Sequence, residues 1–260
     1  MFAEDRSFLC LLVTVALMGG KFIMNKMDVI ILAGGLGTRL RSVVSDLPKC
    51  LAPVNDRPFL YYLFQYLKGY NIDRVILSVG YLHEQVQEWV SSARSLFPFE
   101  VLYAVEKTPL GTGGGVRLAM SYADTDNVLI LNGDTFFYVD LLKMSSSHLS
   151  SGKPVTVALK YLENFDRYGS VELDGNGMVA AFHEKHYCDK GFINGGVCMI
   201  KREPEMFDGM PDKFSFETML LEPYAASLRV NGFVDDGYFI DIGIPEDYEK
   251  ACMDLKDYKF

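Results

Sequence analysis

Glycines, a hydroxyl and a guanidinium stand together in Leu32-Ala33-Gly34-Gly35-Leu36-Gly37-Thr38-Arg39-Leu40, at the end of an apolar run. Glycines at a strand's C-terminal end let backbone N–H groups approach phosphate oxygens, and a following helix N-terminus adds positive potential. Arg39 adds a fixed cation that can grip phosphate through two parallel hydrogen bonds. The loop is not of the Walker type, because no Gly-Lys-Ser/Thr follows. Nor is it a dinucleotide fingerprint, since Leu40 stands where Gly or Ala belongs. Further on, Pro48-Lys49-Cys50-Leu51-Ala52-Pro53-Val54 sets a lysine between two prolines. That predicts a stiff, extended segment aiming Lys49.

Two carboxylates form the next candidate pair. Asp134 ends the apolar run that leads into Asn132-Gly133-Asp134, and Asp241 ends another in Phe239-Ile240-Asp241-Ile242-Gly243. A carboxylate at a strand's C-terminal end faces the ligand crevice of a doubly wound sheet. Asp241 reads either as a turn cap before Pro245 or as half of a cation site. The cation reading is favoured, because an unpartnered carboxylate beside an apolar run is costly. Leu110-Gly111-Thr112-Gly113-Gly114-Gly115 is a second glycine loop before a helix, in which Thr112 can cap the helix, serve a ligand, or do both. His183, His186 and Cys188 lie close in sequence, but their spacing matches no zinc pattern and reads as a turn or loop.

The combination GGLGTRL and LPKCLAPV resembles the signature of sugar-1-phosphate nucleotidyltransferases, and the resemblance covers residues 27–250. It implies that Arg39, Lys49 and Asp134 are catalytic, with Arg39 and Lys49 on the phosphates. It implies a nucleotide site at Leu32, Ala33, Gly34, Gly35, Gly37 and Thr38, with Gly111, Thr112 and Gly113 against base and ribose. It implies Mg²⁺ on Asp134 and Asp241, an ion that prefers hard oxygen ligands. The sugar pocket falls to Asn132, Gly169, Glu184, Lys185 and Asn194. The reaction implied is in-line attack of a sugar-phosphate oxygen on the α-phosphorus of a nucleoside triphosphate, with pyrophosphate leaving. NGDTFFYVDL, NFDRYGSVELD, INGGV, KFSFET and DDGYFIDIGIPEDY together resemble the bacterial D-glycero-α-D-manno-heptose 1-phosphate guanylyltransferases, which implies GTP as donor and a role in surface glycans. The alternatives are a mannose-1-phosphate guanylyltransferase, or a uridylyl- or thymidylyltransferase for another sugar 1-phosphate. A non-catalytic nucleotide-sugar-binding protein is a different class. Retention of Arg39, Lys49, Asp134 and Asp241 together speaks against it.

These residues need a scaffold, and the pattern supplies one. Residues 28–33, 73–79, 100–105 and 127–131 read as buried strands, and 59–70, 83–95 and 114–122 as the helices between them. Strand and helix in alternation predict an α/β fold with a doubly wound, mostly parallel mixed sheet of Rossmann-like kind. After residue 140 the character changes to hairpins, with strands expected at 155–161, 170–173, 178–183, 194–201 and 237–242, and a turn at 174–177. The expected division is a nucleotide-binding half at 27–140 and a smaller, β-rich sugar-binding half at 141–250, within one domain at 27–260.

The chain has 260 residues, 49% of them hydrophobic, which is ample for such a core. A net charge of −9 argues against nucleic acid as partner, which needs a basic face. It leaves room for a nucleoside triphosphate and a sugar 1-phosphate held by a few local cations. Cys10, Cys50, Cys188, Cys198 and Cys252 are scattered, odd in number and without a CxxC, which reads as reduced thiols in the cytoplasm. Residues 1–26 read as an extension, disordered or arising from a misplaced start, and dispensable. Its apolar run at 8–18 is short for a membrane span and follows Glu4 and Asp5, so no stable membrane association is expected. A homo-oligomer is compatible with the sequence.

Overall fold

The computed structural model describes residues 17–18, 21–22, 26–35 and 46–258. Gly37, Thr38 and Arg39, with most of the extension, lie outside the described residues. The elements run β1 (Leu17–Met18), β2 (Lys21–Phe22), β3 (Met27–Leu32), β4 (Pro53–Val54), β5 (Arg57–Pro58), α1 (Phe59–Lys68), β6 (Ile72–Val79), α2 (His83–Ser92) and β7 (Glu100–Val105). They continue with α3 (Gly111–Met120), β8 (Asn127–Asn132), β9 (Thr135–Phe137), α4 (Leu141–Ser151), β10 (Val155–Phe165), β11 (Gly169–Leu173), β12 (Val179–Lys185) and β13 (Cys188–Lys201). The last are α5 (Glu222–Ala226), β14 (Val230–Val234), β15 (Phe239–Asp241) and α6 (Pro245–Asp254).

One large sheet carries the strand order β12-β11-β13-β8-β3-β6-β7. β8, β3, β6 and β7 are parallel neighbours, which is the parallel arrangement that the alternating elements predicted. β13 turns the sheet antiparallel and carries the β-rich half, with β10 paired to it and β14 parallel to β10. The apolar run of β3 is continuous because both its faces are covered. Val29 and Ile31 pack on one side with Phe59 and Phe64 of α1, and Ile30 on the other with Val116 and Ala119 of α3. Among the described residues no helix is long and apolar enough to cross a membrane.

Two departures from the sequence expectation bear on the site. α3 begins at Gly111 rather than 114, so most of the supposed glycine loop is the first turn of a helix. A Cβ on Gly113 would lie 2.2 Å from the Phe214 ring, so glycine here serves close packing on the segment before Glu217. Thr112 does not cap the helix; Leu110 occupies that position without a side-chain bond. The second departure is Lys49, which sits on a 3₁₀ turn, Lys49–Leu51, and not in an extended run. Its backbone is turned because Leu51 N–H donates to Pro48 O (2.8 Å) and Ala52 N–H to Lys49 O (3.0 Å).

The β-rich half is tied to the parallel half by a buried polar knot. His148 of α4 is 1% exposed. Its ring nitrogens lie 2.8 Å from Thr156 Oγ1 on β10 and 3.0 Å from Asn127 Oδ1 on β8. Asn231 of β14 donates to Thr156 Oγ1 (3.3 Å) and to Ser147 Oγ (3.0 Å). Burial, helped by Lys201, pushes the imidazole down from 6.5 to about 4. The unfolded chain therefore takes up this proton first as pH falls. Stability from this group is complete above pH 6.5 and drains away towards pH 4, by on the order of 3 kcal/mol. Denaturant unfolding between pH 7 and 4 should show that loss, and His148→Gln should flatten it. An unchanged slope in the variant would contradict the assignment.

Candidate active site

Lys49, Asp134 and Asp241 meet. Lys49 Nζ donates to Asp134 Oδ2 at 2.5 Å and lies 3.7 Å from Asp241 Oδ1. Each arrives on a rigid support. Cys50, Leu51 and Ala52 are buried, so the turn that carries Lys49 is anchored in the core. Asp134 follows β8 through Gly133, whose N–H donates to Leu32 O (2.9 Å) and whose Cβ would meet that oxygen at 2.6 Å. This contact seats the Asn132-Gly133-Asp134 turn against the end of β3, beside Ala33 and Gly34. Asp241 arrives on β15, which pairs antiparallel with β9 so that Asp241 faces Thr135. Ile242 N–H then donates to Asp134 O at 3.0 Å.

The electrostatics follow from that convergence. Two carboxylates share one ammonium, which leaves a net negative charge in a half-buried place. Burial raises the pKa of Asp241, and the neighbouring Asp134 charge raises it further, against the pull of Lys49, Gly243 N–H and Arg167. The two oxygens nearest Lys49 Nζ are at most about 6 Å apart, which side-chain rotation can close onto one ion with ~2.1 Å bonds. The donor set is hard oxygen from carboxylates and fits Mg²⁺ better than a softer metal. Two protein ligands suit an ion completed by substrate phosphates. Among the described residues no group of three or more ligating side chains stands ready for a metal, and the His186–Cys188 contact (3.3 Å) remains a pair.

The other expected residues are placed as follows. Leu32 ends β3, Leu32 and Ala33 lie against Gly133, and Gly34 lies against Glu106, Gly80 and Ser78. Ala33 N–H is engaged by Ser78 O (2.8 Å). In α3, Gly113 N–H is engaged by Phe214 O (3.0 Å) and the Thr112 hydroxyl by Glu217 (2.8 Å). Those two groups are thus already used within the protein. Asn132 lies against Gly196, and Asn194 Oδ1 accepts from Gly196 N–H (3.0 Å), so these two amides flank one bend of β13. Gly169 pairs with Lys185 across β11 and β12, while Ser170 pairs with Ile193. Gly169 and Lys185 therefore sit at one end of β11 and β12, and Asn194 lies midway along the neighbouring β13. Glu184 and Lys185 are exposed, and among the described residues neither is hydrogen-bonded or ion-paired to Lys49, Asp134 or Asp241. The four described cysteines are free thiols, and burial holds Cys50 up at about 12.

Two residues that sequence reasoning passed over belong here. Arg167 forms an ion pair with Asp247 and lies 5.6 Å over the Tyr168 ring, beside Asp241 in a cavity of about 260 Å³. It stands in the run NFDRYGSVELD, two residues before Gly169. Glu106, just past β7, accepts from Leu110 N–H (3.0 Å) and Ser78 Oγ (3.4 Å), and its Oε1 lies against Gly34 and Gly115. A single acid after a strand carries no signal by itself. Only the fold brings it between the two glycine segments.

Gly243 probes how tightly the cluster is built. Its N–H donates to Asp241 Oδ1 (2.7 Å), and a Cβ there would meet that oxygen at 2.9 Å and Lys49 Nζ at 3.4 Å. Gly243→Ala should therefore displace the carboxylate by a fraction of an ångström. We expect turnover to fall about 10²-fold with little change in Tm, as for other small misplacements of reacting groups. Wild-type turnover in this variant would show that the cluster tolerates what its geometry forbids.

Comparison with known proteins agrees with this architecture. The family model described as nucleotidyl transferase matches residues 28–258. The D-glycero-α-D-manno-heptose 1-phosphate guanylyltransferase of Aneurinibacillus thermoaerophilus is 46% identical over 232 residues, covering 89% of this chain and 100% of the relative. The protein of the same description from Campylobacter jejuni subsp. jejuni serotype O:2 is 42% identical, covering 85% and 97%. The crystal structure of HddC from Yersinia pseudotuberculosis complexed with GMP-PN superposes with a TM-score of 0.78 at 36% identity, covering 88% of this chain and 100% of that one. The sheet order, the convergence of Lys49 with two aspartates and these matches lead to one conclusion: the chain belongs to the nucleotidyl transferase family.

Proposed function

We propose that this chain transfers a guanylyl group from GTP to D-glycero-α-D-manno-heptose 1-phosphate, yielding GDP-heptose and pyrophosphate. The observation that carries the sugar is the likeness, over their whole or nearly whole length, to two relatives that bear this description. The observation that carries the base is Glu106. Guanine presents two adjacent donors, N1–H and the 2-amino group, on one edge. A carboxylate accepts both, and Glu106 retains acceptor capacity after the two bonds it makes within the protein. Adenine, cytosine and uracil offer no such pair of donors.

The chemistry is a displacement at the α-phosphorus. A sugar-phosphate oxygen forms the new P–O bond while the bond to pyrophosphate breaks, and no covalent enzyme intermediate is needed. Positioning and charge neutralisation do the work. Lys49 orients phosphate oxygens from its anchored turn, and Arg39 meets the departing pyrophosphate, the role that the family resemblance implies. Arg167, next to Asp241, offers a further cation for the sugar phosphate. Asp134 and Asp241 would hold Mg²⁺, which would supply charge neutralisation at the phosphates. Asn132, Asn194, Gly169, Glu184 and Lys185 form the sugar side.

A matrix of four nucleoside triphosphates against heptose, mannose and glucose 1-phosphates, read by pyrophosphate release, tests this. GTP with the heptose phosphate should give the highest kcat/KM. ITP, which lacks the 2-amino donor, should fall about 10- to 10²-fold below GTP, and Glu106→Gln should narrow that gap. Preference for UTP or dTTP, or for another sugar, would overturn the proposal.

A further inference from the structure

The start of α3 is strapped to a distant segment. Phe214 N–H donates to Leu110 O and Phe214 O accepts from Gly113 N–H, both at 3.0 Å. Gly111 adopts φ 72°, and a Cβ there would meet Phe214 O at 2.5 Å, so the two backbones touch. Side chains then close the contact. Thr112 Oγ1 accepts from Phe216 N–H (2.9 Å) and donates to Glu217 Oε2 (2.8 Å). Ser215 Oγ donates to the same carboxylate oxygen at 2.9 Å. Glu217 opens a π-helical stretch, Glu217–Leu221. Such wide turns are rare and concentrate where a side chain's position matters.

This strap reaches the nucleotide side through one residue. Leu110 gives its N–H to Glu106 Oε2 (3.0 Å) and its carbonyl to Phe214 N–H (3.0 Å). Both polar groups of one peptide residue are thus committed, one to Glu106 and one to the strap. Freed from the strap, residues 110–113 would lose their register, and the donor that orients Glu106 would go with them.

We infer that Glu217 is a positioning residue for the nucleotide: through Thr112 it holds the first turn of α3, and so the Glu106 carboxylate, in the geometry that receives the base. The base named here rests on the function proposed above; the strap does not. Glu217 touches neither Lys49 nor the two aspartates, so its effect belongs in nucleotide affinity and not in the chemical step.

Steady-state kinetics on the full chain test this, with hydrogen exchange at the Gly113 amide as a second readout. Glu217→Ala should raise the KM for GTP about five- to tenfold, the loss of one well-made hydrogen-bonded contact. It should leave kcat within about twofold and the KM for sugar phosphate unchanged. Thr112→Val, which also removes the acceptor of Phe216 N–H, should raise the KM for GTP at least as much, and the double variant should be no worse than Thr112→Val, because that change already cuts the Thr112–Glu217 contact. Glu217→Gln keeps an acceptor oxygen and should stay near wild type. Exchange at Gly113 should quicken in Glu217→Ala and Thr112→Val. An unchanged KM for GTP, additive effects in the double variant, or a parallel fall of kcat, both KM-related affinities and Tm would overturn the inference. If the wild type prefers another nucleotide, the base assignment fails, and the same criteria apply to the preferred one. If no nucleotide is turned over, unchanged Gly113 exchange in Glu217→Ala overturns the strap, and faster exchange upholds it.

Discussion

Two carboxylates held close in a half-buried place repel unless a cation or a shared proton offsets their charge, and the arrangement of this protein answers to that constraint with a cation. Asp134 and Asp241 are far apart in sequence and are brought together by the short antiparallel pairing of β9 with β15. Burial raises the pKa of Asp241, and the repulsion from Asp134 raises it further. Lys49 offsets it at 2.5 and 3.7 Å. The same surplus of negative charge that makes the site costly makes it receptive to a divalent ion carrying phosphates. Stability and function thus pull on one set of atoms.

The rest of the fold serves the rigidity of that set. The parallel strands are covered on both faces, so the ends of β3 and β8 are fixed relative to each other before any ligand arrives. Asp28, wholly buried at the other end of β3, accepts two hydrogen bonds from Arg74 (3.0 and 2.8 Å) and the N–H groups of Asp124 and Thr125. A buried carboxylate so fully satisfied pins the strand order at the end remote from the site. The glycines near the site act mostly as clearances. Gly133 lets one turn lie on Leu32, and Gly243 leaves room for a carboxylate beside an ammonium.

Much of this was legible in the residues. Continuous apolar runs marked the parallel strands because both faces are buried, and Asp174-Gly175-Asn176-Gly177 marked its hairpin because Asp174 Oδ1 accepts from Asn176 and Met178 N–H (both 2.8 Å). That Asp134 and Asp241 can converge was anticipated from their places at the ends of apolar runs, whereas Lys49 stood in a proline-flanked segment and its contact with them was not. The start of α3 was not, because glycine composition signals a loop whether the glycines are there for turning or for packing. The turn under Lys49 was missed because proline restricts its own φ and the residue before it, and says little about the one after. Glu106 and Arg167 stood in the sequence as ordinary charges. Their significance depends on which strands are neighbours, and local spacing does not reveal that.

The most direct test of the central claim is pyrophosphate release from GTP and heptose 1-phosphate by Asp134→Asn and Asp241→Asn, beside the wild type, with and without divalent ion. An amide keeps the shape of the side chain and removes its charge. If the paired carboxylates are what the site is built around, both variants stay folded and lose nearly all turnover. The wild type without divalent ion falls to the same level. Near-wild-type turnover in either folded variant would contradict the account.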